Sequence, residues 1–158
     1  MTAEGYRISD EPRPGALSRL VVDPIWPLLA AMLAGSWLAL PWFAVNAAAV
    51  GSPTRRREVA WIAGGVAVSV LATIGVMAVA GGLPRWGVRA LLVLLVAWRL
   101  GVAYVLFELQ RGPVELFRWH GGRVQSGLAV AVAGAFAGPA LFRAMGDPWG
   151  QLVGLVLG

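Results

Sequence analysis

The chain has 158 residues, of which 58% are hydrophobic and only 13% charged, against about a quarter charged in an ordinary soluble domain. That excludes a conventional soluble fold and points to a membrane protein. The net charge of +5 comes from arginine alone, scattered along the edges of apolar segments rather than gathered on one face among aromatics, so contact with anionic lipid explains it and nucleic acid is not an expected partner. There is no cysteine, which removes thiol catalysis, disulfides and thiolate metal sites.

Residues 1–23 form a polar tail with Pro12 and Pro14 and no early apolar core, so no cleavable signal is expected there. Residues 24–50 read as the first transmembrane helix, with Pro24 and Pro27 in its first turn and a kink at Pro41. Gly51-Ser52-Pro53-Thr54 stops it, and Thr54 is the expected N-cap of the next segment. The second span covers 59–80 and ends at Gly81-Gly82-Leu83-Pro84. The third covers 88–109, with a break expected at Gly112-Pro113 and a short interfacial turn to His120. The fourth covers 125–145, with Pro139 inside it. Each segment has roughly the 20 residues that cross about 30 Å of hydrocarbon. Residues 146–158 are apolar but too short to span, and read as an interfacial tail.

The expected fold is therefore an all-α integral membrane protein with four transmembrane helices and a short apolar C-terminal segment. Trp26, Trp61, Trp86, Trp119 and Trp149 fall near span ends, as an aromatic belt should, whereas Trp37 and Trp98 fall at mid-membrane. Four spans put both termini on the side of the Gly81–Gly87 loop. The arginines then divide six to six, and the Arg55–Arg57 cluster tilts the reading toward both termini outside the cytoplasm. Gly35 to Pro53, GSWLALPWFAVNAAAVGSP, resembles segments of small bacterial four-span membrane proteins, which implies a bacterial inner membrane and no particular activity.

Arg99 is the main candidate for function, because an ionised group at the centre of a span is costly. Its own helix offers Leu95, Val96, Val102 and Ala103 at neighbouring turns, so its counter-group is expected on another helix, another chain or a ligand. Asn46, Trp37 and Trp98 are the intramembrane groups expected near it. Arg55, Arg56 and Arg57 fan around a helix start and are expected to meet anionic lipid headgroups or a partner. His120 is the single histidine, so pigment, haem or metal ligation needs ligands from a partner chain, and no metal site within the chain is expected. Glu108–Arg111 and Glu115–Arg118 read as local i, i+3 pairs. Gly127, Ala131 and Ala135, with Gly134 and Gly138 on an adjacent row, are spaced for close helix packing. No catalytic motif appears. The expectation is a non-catalytic accessory subunit of a larger membrane complex, with other integral-membrane subunits and lipids as partners. The alternative is a small homo-oligomeric transporter or an anionic-ligand-binding protein using Arg99.

Overall fold

The computed structural model describes residues 16–146 together with Gly154, Val156 and Leu157; the polar tail before residue 16, and Trp149 with most of the C-terminal segment, lie outside the described residues. The described chain is helical, with no strand. A 3-10 turn (Ala16–Leu20) leads into α1 (Ile25–Leu33), α2 (Ser36–Val50), α3 (Arg55–Ala80), α4 (Arg85–Trp119) and α5 (Leu128–Ala144). Of these, α3 and α4 are long and apolar enough to cross a membrane.

The first apolar segment is not one helix kinked at Pro41. It breaks six residues earlier, at Gly35, and α2 runs on through Pro41. Gly35 has φ 97°, a backbone region open to glycine and strained for other residues. Its N–H and that of Ala34 both reach the carbonyl of Ala30, at 3.0 and 2.8 Å, closing α1 tightly enough for the chain to reverse. The result is an antiparallel helical hairpin. Its two arms lie side by side on α5: Trp26 of α1 and Trp42 of α2 both press on Gly127, and Ala30, Ala39 and Ala131 form one buried cluster.

The hairpin returns the chain to the end where it started. Val21 packs with Ala49, Val50, Val114 and Phe117, and Gln125 donates its N–H to the Val21 carbonyl at 2.7 Å. The N-terminal segment therefore lies beside Ser52 and the α4–α5 loop, at the opposite end from the Gly81–Gly87 turn. This corrects the four-span arrangement, which placed it with that turn. A strongly apolar run conceals such a reversal, because every side chain along it is compatible with either path.

Helices α3 and α4 form a long hairpin in close contact at Gly65, where a Cβ would fall 2.8 Å from Val102 Cγ1. The expected break at Gly112-Pro113 is absent: α4 continues to Trp119, giving a rod of about 52 Å. Pro113 removes only the hydrogen bond that the Leu109 carbonyl would accept, and Val114 and Phe117 beyond it are buried against the N-terminal segment, which holds the last turns in helical form. The extension also rearranges the surface pairs. Arg111 bonds Glu115 one turn on, at 3.2 Å, and Arg118 reaches Asp23 at 2.9 Å, instead of the expected Glu108–Arg111 and Glu115–Arg118 pairs.

Candidate functional site: a buried carboxylate and its amide relay

Where α2, α3 and α4 converge near the N-terminal end of the hairpin, five polar side chains meet in an otherwise apolar interior. Glu58 and Gln110 are fully buried, and Asn46 is 1% exposed. Glu58 stands in the first turn of α3, where the helix dipole favours a carboxylate. Its Oε1 accepts hydrogen bonds from the hydroxyls of Ser52 and of Thr54, the latter at 2.8 Å, and its Oε2 accepts one from Gln110 Nε2 at 2.6 Å. Thr54 thus serves the carboxylate rather than capping the α3 backbone as its position suggested.

The Gln110 carboxamide extends the network in both directions. Nε2 also donates to the Phe43 carbonyl at 2.7 Å, and Oε1 accepts from Asn46 Nδ2 at 2.8 Å. Asn46 Oδ1 in turn accepts the Val22 N–H at 2.9 Å. One relay therefore links the N-terminal segment, α2, α4 and the start of α3. Each donor used is matched to an acceptor, which is the condition for polar groups to be tolerated in a low-dielectric interior. No arginine lies within ion-pair distance of Glu58 among the described residues, so neutral donors alone stabilise the group.

The sequence singled out Asn46 but missed Glu58 and Gln110. The available signal was local: Ser52, Thr54 and Glu58 at two- and four-residue spacing around a helix start, a pattern close to a capping box.

Arg99 lies on the buried stripe of α4 that runs Leu95, Arg99, Val102, Ala103, Leu106, Gln110. It is 9% exposed, three turns from Gln110, and so apart from the relay. Its neighbours Val96 and Leu100 line a cavity of about 540 Å³ with Met32, Leu33 and Gly35 at the tip of the α1–α2 hairpin. The tip therefore stands at the depth of Arg99, near the middle of α4. Trp37 stands edge-on to Phe142, itself part of that cavity's lining, with ring centroids 6.3 Å apart, and Trp98 borders a groove with Trp61 and Gly64. Arg55, Arg56 and Arg57 are all exposed. His120 caps the end of α4 and is exposed, its Nδ1 2.8 Å from the Leu116 carbonyl.

The packing residues have one purpose among the described residues. Gly127, Ala131, Gly134 and Gly138 are buried and Ala135 is half-buried; they seat α5 on the hairpin, with Leu38 over Gly134 and Trp37 over Gly138. No cluster of three or more metal-ligating side chains occurs among the described residues. No known protein family, curated protein or solved structure matches the chain.

Proposed function

We propose that this chain is a multi-pass integral membrane protein in which α3, α4 and α5 cross the bilayer and the α1–α2 hairpin enters and leaves on one side, and that it acts as a non-catalytic subunit of a larger membrane complex. The observation that carries this reading is the inverted pattern of α3. Its buried residues are Glu58, Gly65, Ser69 and Thr73, whereas Leu71, Ile74, Met77 and Val79 face outward. A helix in water buries its large apolar side chains, and one in lipid need not. Only 17% of the most apolar stretch of α3 is buried, so this chain leaves that surface to lipid or to another helix.

The small residues of α3 favour another helix for part of it. Ala60, Gly64, Ala67, Gly75 and Ala78 lie on one outward face, and a Cβ at Gly64 or Gly75 would meet nothing within 4 Å. Small side chains offer lipid little contact but let a neighbouring backbone approach closely. Three of the four described acids support a non-catalytic role, Glu58 being held by three donors and Asp23 and Glu115 each paired with arginine; the fourth, Glu108, is exposed.

The hairpin changes the charge count between the two ends. Arg19, Arg55, Arg56, Arg57, Arg111, Arg118 and Arg123 gather at the end holding the N-terminal segment, against Arg85, Arg89 and Arg143 toward the other. Among the described residues, seven against three supports a cytoplasmic location for the first end. The test of the subunit role is purification of the tagged chain in mild detergent, with mass spectrometry of co-eluting proteins. A stoichiometric membrane partner is expected; a monomer or a pure homo-oligomer would sink the reading.

A second reading, ligand handling at mid-depth, is favoured by one observation: two helix ends meet at Gly35 at the level of Arg99, an arrangement that presents backbone dipoles inside a membrane.

A further inference from the structure

Between the 3-10 turn and the α4–α5 loop lies an open cleft of about 670 Å³ that is separate from the Glu58 relay. Among the described residues its polar lining holds no acid: Arg19 comes from the 3-10 turn, Arg123 from the α4–α5 loop and His120 from the end of α4, with Ser18 and Gln125 as neutral polar groups. Asp23 is held by Arg118 at 2.9 Å and does not line the cleft.

The walls are fixed by the fold. Gln125 N–H bonds the Val21 carbonyl, tying the loop that carries Arg123 to the segment that carries Arg19. Phe117, which forms part of the floor, belongs to the buried cluster with Val21 and Val114. The Gly122 backbone rests on its ring so closely that any Cβ there would overlap it. The histidine is also oriented. The Leu116 carbonyl only accepts, so His120 Nδ1 carries the hydrogen between them, and Nε2 is left as an acceptor, able to take the hydroxyl hydrogen of a protonated phosphate.

We infer that this cleft binds a phosphate group, carried either by a phospholipid headgroup or by a soluble phosphorylated molecule. Two arginines lining one cleft offer guanidinium forks to an oxyanion that presents several oxygens in different directions, and the imidazole beside them can accept from its hydroxyl. The exposed Arg55–Arg57 run does not, because successive side chains on a helix point apart.

The test uses the full chain in mild detergent as wild type, R19Q/R123Q and, as a charge-matched control at the other end of the molecule, R85Q/R89Q. One arm measures retention of phosphatidylglycerol by native mass spectrometry in the presence of excess phosphatidylcholine. The other titrates inorganic phosphate by calorimetry against chloride at equal ionic strength. In at least one arm R19Q/R123Q is expected to bind about a hundredfold more weakly than wild type, about tenfold for the charge-assisted hydrogen bond lost at each arginine, with the control unchanged. An effect in the lipid arm assigns the headgroup, and one in the phosphate arm assigns the soluble ligand. Equal binding by R19Q/R123Q and wild type in both arms, or an equal loss in the control, would overturn the inference. Should R19Q/R123Q fail to fold by near-ultraviolet circular dichroism, R123K is read instead. It keeps the charge and removes the fork: several-fold weaker binding supports the site, and unchanged binding overturns it.

Discussion

The Glu58 carboxylate and the Gln110 carboxamide, 52 positions apart along the chain, meet at 2.6 Å with neither side chain exposed. The contact joins the start of α3 to the last third of α4 and, through Asn46, to the α1–α2 hairpin. Glu58→Ala leaves one Gln110 N–H and one of the Ser52 and Thr54 hydroxyls, which also bond each other at 2.9 Å, short of an acceptor, and a buried unsatisfied group costs about 1–3 kcal/mol. Allowing for relaxation, Glu58→Ala is expected to destabilise the fold by about 2–4 kcal/mol and Glu58→Gln by less, since the amide keeps one acceptor. Thermal unfolding in detergent, followed by tryptophan fluorescence, checks this; equal midpoints for all three proteins would show that the relay contributes nothing.

Overpacking the α5 interface gives a second, independent measure of the hairpin. A Cβ at Gly127 would lie 2.6 Å from Trp26 Cβ and 2.7 Å from the Trp42 ring, so both arms must move to admit it. Gly127→Val is expected to cost about 1–3 kcal/mol, the usual range for overpacking. Gly101→Val, at a position with nothing within 4 Å, lacks that clash and should unfold near wild type. If the two variants unfold together, α5 does not pack on the hairpin as described.

The path of the chain is open to direct labelling, because the protein has no cysteine of its own. Leu17→Cys and Pro53→Cys are expected to react with an impermeant maleimide from the same side of the membrane, and Leu83→Cys from the other. All three sites are exposed. A first segment crossing the bilayer once would instead pair Leu17→Cys with Leu83→Cys.

The outward face of α3 separates folding from assembly. A Cβ at Gly64 would meet nothing within 4 Å, and the groove beside it has room for the rest of the side chain, so the thermal midpoint of isolated Gly64→Leu should hold. Recovery of a stoichiometric partner in the detergent purification should fall severalfold, because the bulky side chain blocks close backbone approach. Full recovery would assign that face to lipid.

Helical class, the helix ends at Gly51 and Gly81, and the inward rows of α5 were legible in the sequence, because they depend on composition, turn chemistry and three- and four-residue spacing. The path of residues 24–50 was not. Gly35 sits among apolar residues and reads as one more small packing residue beside Ala31 and Ala39; only its positive φ marks a reversal. Pro113 was misleading for the opposite reason. A proline lowers helix stability locally, but burial of Val114 and Phe117 after it outweighs the lost hydrogen bond. Glu58 escaped notice because three arginines precede it and the group reads as a solvated charged run. Its burial depends on Gln110, and no local pattern announces a partner that distant in sequence.

The hairpin bears finally on how such a chain enters a bilayer. Because residues 16–24 and 51–57 finish at the same end, lodging residues 25–50 carries no arginine or carboxylate through hydrocarbon. On the topology proposed above, the first charges to be translocated are those at the α3–α4 turn, Arg85 and Arg89, so export of that turn is the step at which the protein would acquire its orientation.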